Sequence, residues 1–235
     1  YDINTDYKTI FTSKELKGNK ECVLYRNYDP ATGVTHAIAS YGNLAESTLN
    51  GPTSDLLKSY ILTTGDVWEN ATPSVRSFAL SNMIATRDSR FEATFYSKPS
   101  ALNQGSFYYI TKFLPREVEK RTQVDLLGMP PEFTGDKNET DAPVLRYAEV
   151  LLNYAEAKNE FSGPDDSVYD ALDKVRNRGN LPPLTRTFTQ ATLQEKIRNE
   201  RRVELCFEEH RVYDVRRWKK GMTYFNQPVY RMNVI

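Results

Sequence analysis

The stretch Asp141-Ala-Pro-Val-Leu-Arg-Tyr-Ala-Glu-Val-Leu-Leu-Asn-Tyr-Ala-Glu-Ala157 carries the strongest secondary-structure signal in the chain. Val144, Ala148, Leu151, Leu152 and Ala155 recur at i, i+4, i+7, i+8 and i+11, which places an apolar stripe on one helix face. Asp141 and Pro143 make a good start, because a first-turn proline gives up only an N–H that has no partner there. Gly163-Pro164 ends the run. The small residues Ala148 and Ala155 let a neighbouring helix approach closely.

The pattern continues downstream. Asp165-Asp166-Ser167 caps a second helix, with Val168, Leu172 and Val175 on one face and Gly179 as its C-terminal glycine. Pro182-Pro183 breaks the chain. Thr192-Leu-Gln-Glu195 matches a capping box and opens a third helix, carrying Leu193 and Ile197 and running to about Phe207. A last helical piece covers Val212–Lys220 and ends at Gly221. Helices joined by short capped turns are the unit of tetratricopeptide-like stacking, although no clean repeat of about 34 residues is present.

Upstream the character changes. Residues 1–140 are rich in Ser, Thr, Asn, Gly and Pro, with turn chemistry at Asp29-Pro30, Asn50-Gly51-Pro52, Thr64-Gly65-Asp66 and Met129-Pro130-Pro131. Short strands are expected at Glu21–Tyr28, Phe91–Tyr96 and Ser106–Phe113, where aromatic and β-branched residues gather. One short helix is expected at Ser54–Leu62, capped by Ser54. The chain thus divides into a loop-rich region, 1–140, and a helical scaffold, 141–235.

Composition excludes several functions. Lys+Arg and Asp+Glu are 31 each, so the 235 residues have zero formal net charge. Such a balance argues against general capture of nucleic acid, which needs a basic face that releases counterions. No stretch approaches the roughly 18 uninterrupted apolar residues of a membrane span. Cys22 and Cys206 form no CxxC pair; a single disulfide between them is possible, and two unpaired thiols are the ordinary reading. The chain begins at Tyr1 without a signal peptide, so localisation is not legible from its termini.

Catalytic and metal motifs are missing. With only His36 and His210 there is no HExxH, and a Glu-x-x-His motif ending at His210 would need an acid where Phe207 stands. Neither GxSxG, GxxxxGK[ST] nor GxGxxG occurs, and nothing calls for a metal or a cofactor. Glu200, Glu204 and Glu208 do fall at i, i+4, i+8, and a glycosidase needs two carboxylates flanking a cleft. The same stretch holds Arg198, Arg201, Arg202, Arg211, Arg216 and Arg217, with Arg146, Arg176 and Arg178 on the preceding helices. Interleaved acids and arginines favour structural ion pairs over acid–base catalysis. Trp218 reads as a packing residue with a stacked arginine.

Aromatic residues in the loop-rich region are the better ligand candidates. Sugars stack their C–H faces on Trp and Tyr while nearby amides and acids bind hydroxyls. The segment His36–Asn43, containing Tyr41, and the segment Gly65–Asn70, containing Trp68, combine these groups on loops. The expected ligand residues are therefore Tyr41, Asn43, Trp68 and His36. The bland alternative is that each ring covers the core beneath its loop.

Several motifs resemble the SusD/RagB family. Ala142–Ala157 resembles its signature helix, and Leu172-Asp-Lys-Val-Arg-Asn-Arg178 its Asn/Asp-x-x-Arg-x-Arg run. Glu200-Arg-Arg-Val-Glu-Leu-Cys-Phe-Glu-Glu-His-Arg-Val-Tyr-Asp-Val-Arg-Arg-Trp218 is the most specific piece, resembling Glu-Arg-x-x-Glu-Leu followed by an acid, an Arg and Asp-Leu-x-Arg-Trp. Arg87-Asp-Ser-Arg-Phe91 and Asp55-Leu-Leu-Lys-Ser-Tyr60 match upstream. Ser89 stands where the family has Pro, and Glu209 where it commonly has Gly.

The resemblance implies a mainly α fold, with tetratricopeptide-like helical hairpins and a loop-rich, short-stranded ligand-facing region. Both regions would form one SusD-like domain, here the later portion of a longer protein. It further implies a non-enzymatic lipoprotein on the outer-membrane surface of Bacteroidetes that captures oligosaccharides or polysaccharides for a SusC-like TonB-dependent transporter. The anchoring lipid would sit on a cysteine outside this chain, since Cys22 has no lipobox context. Two alternatives stay open: a peptide-binding member of the family, and a helical protein-interaction scaffold without a small ligand.

Overall fold

The computed structural model describes residues 1–39, 51–95, 108, 110–118 and 130–230. In chain order its elements are α1 (Thr9–Thr12), β1 (Cys22–Arg26), α2 (Ser54–Ser59), α3 (Leu80–Thr86), α4 (Arg90–Thr94) and β2 (Ala142–Arg146). Then follow α5 (Tyr147–Ser162), α6 (Asp166–Arg178), α7 (Gln190–Glu204), α8 (His210–Arg217) and α9 (Gly221–Phe225). The fold is mainly α, and among the described residues the long helices lie in the second half, as the sequence pattern requires.

Helix α5 packs against both α6 and α7. Ala148, Leu152 and Ala155 from α5, Val168, Leu172 and Val175 from α6, and Leu193 and Ile197 from α7 form its apolar core, each exposed by 1% or less. The alanines sit inside, where a short side chain admits the neighbouring helix. Asp165 caps α6 by accepting a hydrogen bond from the Val168 N–H at 3.1 Å.

Helix α5 starts later than the periodicity predicts. Residues Ala142–Arg146 are a strand paired antiparallel with β1, in the register Cys22↔Arg146, Leu24↔Leu145, Tyr25↔Pro143 and Arg26↔Ala142. A two-stranded ribbon has only edges, so Pro143 is tolerated there, and it biases Ala142 toward extended backbone. Val144, assigned to the helical stripe by spacing, is 57% exposed on this strand. The first helical residue, Tyr147, donates its N–H to the Glu21 carbonyl at 2.7 Å, so the residue just before β1 supplies the cap.

Other boundaries shift for local reasons. Thr189, not Thr192, caps α7, accepting from the Thr192 N–H at 3.3 Å, and the helix ends at Glu204. Thr53, not Ser54, caps α2 and accepts from the Leu56 N–H, and the helix stops at Ser59, so Leu62 instead bridges to Arg87. The expected strand at Phe91–Tyr96 is mostly helix α4. Asp88 accepts from the Arg90 N–H at 2.9 Å and starts the turn, so that Phe91 and Phe95 share one buried face. Tyr96 lies outside the described residues, as do 106, 107 and 109 of the expected strand Ser106–Phe113, of which one bridge, Phe95↔Ile110, is present. Helix α8 spans His210–Arg217, and Gly221 opens α9 instead of closing α8.

A second apolar cluster, around Tyr60, Met83, Phe91, Phe95 and Tyr108, is built from the loop-rich region and takes Val203 from α7. A third holds Tyr7, Ile10, Phe11, Leu16, Cys22 and Ala93. Cys22 and Cys206 are both free thiols and buried.

Candidate functional site

The last turns of α7 aim Glu200 and Glu204 inward at helical spacing, and the turn after it brings Glu208 to the same side. All three meet cations from elsewhere in the chain. Arg90 lies 2.6 Å from Glu200 and 2.7 Å from Glu204 and also pairs with Asp88 at 2.5 Å. Arg146 reaches Glu204 at 2.5 Å and Glu21 at 3.0 Å, and grips both oxygens of Glu208 at 2.7 Å. Arg178 pairs with Glu21 and Glu204. Arg176 lies 3.5 Å from Glu200, and Lys112 is 2.6 Å from Glu208.

Five carboxylates (Glu21, Asp88, Glu200, Glu204, Glu208) thus face five cations (Arg90, Lys112, Arg146, Arg176, Arg178) in an interior that holds its charges nearly balanced. Burial opposes the charge on Glu204, but Arg178, Arg146 and Arg90 outweigh it and hold its carboxyl far below the usual range. Burial likewise opposes charge on Glu208, and Arg146 with Lys112 wins there too. At Glu200 burial wins over Arg90 and Arg176, and the carboxyl is raised. Burial lowers Lys112, whose ammonium also sits 4.2 Å from the Phe11 ring centroid and 4.9 Å from that of Tyr7. Each of the three carboxylates singled out by spacing is therefore engaged by cations.

Gly179 allows this seam to close. A Cβ at this position would come within 2.6 Å of the Asp88 carboxylate and 3.0 Å of Arg90 Nε. Its φ is −78°, so close packing, not left-handed backbone, explains the glycine; Asn180 takes the left-handed conformation at φ 57°. A smaller polar network ties α5 to α8: Glu156 accepts from Arg217 and from Trp218 Nε1 at 2.6 Å, while Asp214 accepts from Arg201 and Arg217. Trp218 is flanked by Arg198 and Arg217, both within 5.1 Å of its ring, in keeping with the packing role its sequence context suggests.

Beyond Glu204 the chain turns through two non-glycine residues in the left-handed region, Phe207 at φ 62° and Glu209 at φ 64°. Glu209 occupies the position where a glycine is expected, and the backbone keeps the glycine conformation. This turn separates two cavities. One, of about 280 Å³, is lined by Phe11, Phe113 and Phe207 together with His36, Arg146 and Glu208. The other, of about 320 Å³, lies between Pro52–Leu56 and α8.

The residues expected to touch a ligand are not brought together among the described residues. His36 lines the first cavity, but its Nε2 donates to the Thr140 carbonyl at 2.8 Å and its Nδ1 accepts from the Ile38 N–H at 3.1 Å. Burial lowers its pKa, so it is a neutral ring with both nitrogens engaged. Trp68 belongs to the second apolar cluster, 8% exposed, stacked on Phe78 at 4.6 Å and with the Arg87 guanidinium 4.8 Å from its ring centroid. Tyr41 and Asn43 lie outside the described residues.

Sequence reasoning assigned no role to Glu21, Asp88, Arg90 or Lys112, which complete the ion network. The signal for two of them was present in Arg87-Asp-Ser-Arg-Phe91, but spacing within one segment does not reveal a partner more than 100 residues away. Among the described residues no group of His, Cys, Asp and Glu is arranged to hold a metal ion, and no helix is long and apolar enough to cross a membrane.

Helical hairpins support an irregular layer and are locked to it by a buried ionic seam, which defines a mainly α protein built on helical hairpins. The model of the SusD family matches residues 108–235, more than half of the chain, and the chain belongs to that family. It is similar to SusD-like protein P2 of Formosa agariphila, 26% identical over 241 residues, which cover 95% of this chain and 44% of that protein. In structure it resembles a SusD-like carbohydrate-binding protein of Bacteroides fragilis, with a TM-score of 0.76 and 25% identity over 98% of this chain and 48% of the other. A laminarin-binding SusD-like protein aligns with a TM-score of 0.56 and 26% identity, covering 96% of this chain and 46% of its own. The chain spans less than half the length of each of these relatives.

Proposed function

We propose that this protein captures oligosaccharides at the outer-membrane surface of a Bacteroidetes cell and passes them, without catalysis, to a SusC-like TonB-dependent transporter. The observation that carries this reading is the likeness, across 98% of the chain, to a carbohydrate-binding protein of the same family. The laminarin-binding neighbour supports the same ligand class. On this reading the chain is a preorganised wall. Its buried ions and close-packed helices hold surface loops in place, so that ordering the site costs little of the binding energy. Anchoring at that surface would come from a lipid.

Of the four residues named from sequence, Tyr41 and Asn43 are proposed as ligand contacts. Trp68 and His36 spend their faces and nitrogens within the protein. Calorimetry against a panel of oligosaccharides tests the reading. Saturable binding that Tyr41→Ala abolishes supports capture through that residue; binding that survives keeps the function and moves the site. No binding to any sugar sinks the reading, and peptides become the next ligands to test.

The burial of Trp68 favours a second reading, a protein-interaction scaffold without a small ligand. It requires a stable protein partner under conditions where no sugar or peptide binds.

A further inference from the structure

The cavity of about 320 Å³ is lined by a cation that has no counter-charge among the described residues. Arg211 lines it, half-buried, and makes no hydrogen bond or ion pair with any described residue. Its guanidinium instead stacks 4.5 Å from the ring centroid of Tyr224, with Trp218 at 5.9 Å. Every other arginine of this lining is engaged. Arg201 binds Asp214 through two nitrogens at 3.1 Å, and Arg202 meets Asp55 at 2.6 Å. Asp55 is itself 75% exposed, so that pair is open to water and weak.

The remaining described charges do not neutralise Arg211. Asp214 is held by Arg201 and Arg217, and Glu209 is exposed. His210 faces Glu149 across the turn at 3.7 Å. Burial and the neighbouring Arg202 both lower the Arg211 pKa, with Asp55 and Asp214 only partly compensating. A half-buried guanidinium normally finds an acceptor. One held by aromatic stacking, with its donors free, is preorganised for a bidentate oxyanion. Around it Pro52, Leu56, Phe207 and Val212 supply apolar wall. The volume lies at the lower end of the roughly 300–1,000 Å³ of small-molecule sites.

We infer that this cavity is a subsite for an acidic sugar, whose carboxylate or sulfate ester is taken by Arg211 with Arg202 while its ring lies against the apolar wall. The inference rests on the glycan-binding reading and narrows it to anionic glycans. Calorimetry of the protein with neutral gluco-oligosaccharides, oligogalacturonates and sulfated galactan oligosaccharides of matched length tests it. An acidic series should bind about tenfold or more tighter than the neutral one, the fold-change of one charge-assisted hydrogen bond. The oligogalacturonate and sulfated arms tell carboxylate from sulfate.

Arg211→Gln should remove that preference while leaving neutral-sugar affinity unchanged, and Arg211→Lys, which keeps charge but loses the fork, should retain part of it. Tyr224→Leu, which removes the stack but no charge, should weaken acidic sugars alone and serves if an Arg211 variant folds poorly. Equal binding of acidic and neutral sugars, or an equal loss of both in Arg211→Gln, overturns the subsite and leaves glycan capture standing. No binding to any of the three series overturns both.

Discussion

The α5–α7 bundle and the seam that joins it to the loop-rich region solve the same problem with opposite chemistry. Inside the bundle, Leu152, Leu172, Ile197 and their neighbours exclude water by apolar packing, where each contact contributes on its own. In the seam, Glu204 and Arg146 carry full charges at 0% and 2% side-chain exposure and need each other. Apolar packing tolerates a missing methylene at moderate cost. A buried ion network does not tolerate a missing partner, because the charge left behind has lost both water and its counter-ion. The difference is one of specificity: the bundle can form from local pattern alone, whereas the seam requires elements far apart in sequence to meet in one register.

Acid should break the seam first and spare the bundle. Glu204 and Glu208 have folded-state pKa values below their ordinary value of 4.5. The unfolded chain therefore takes up protons before the folded one, and stability falls as pH drops through and below about 4.5. Glu200 is raised and acts in the opposite sense, gaining its proton more readily in the fold. Urea unfolding followed from pH 7 to pH 3 should show the midpoint falling over that window; a flat profile would mean that the seam carries no net stability.

At constant pH, Glu204→Gln should cost about 3–5 kcal/mol, because it leaves Arg146, Arg178 and Arg90 short of one charge. A double-mutant cycle with Arg178→Met should recover part of that loss, and strict additivity would argue against coupling. Leu152→Ala, in the bundle, should cost about 2–5 kcal/mol through its cavity, with no change in pH dependence. Gly179→Ala should cost about 1–3 kcal/mol by pressing a methyl on Asp88 and Arg90, and should alter the acid transition. The smallest effect is a gain. Glu209→Gly should stabilise the protein by about 1 kcal/mol by relieving left-handed backbone, visible as a rise in the urea midpoint at unchanged slope.

Much of the bundle is legible in the sequence. Val168, Leu172 and Val175 follow a helical period, Asp165 is a strong cap, and Gly163-Pro164 is an unambiguous stop. Boundaries failed where one residue type suits two environments. Pro143 fits a first helical turn and an edge strand equally well, and only pairing with β1 decides between them. Phe91 and Phe95 suit a strand as readily as a helix, and Asp88 settled the matter through a local hydrogen bond. The ligand candidates illustrate a related point: Trp68 and His36 have the chemistry of a sugar site, but burial and partners decide whether that chemistry is available.

By itself, the sequence determined the class of the chain, because helical periodicity, capping residues and the order of its charged motifs are local properties of neighbouring residues. Tertiary structure alone decided which arginine meets which carboxylate, why Gly179 must lack a side chain, and that Arg211 stacks on Tyr224 and pairs with no carboxylate among the described residues. Charges in the seam act through space between segments separated by as many as 157 residues, from Glu21 to Arg178, and no spacing along the chain records which of them will meet.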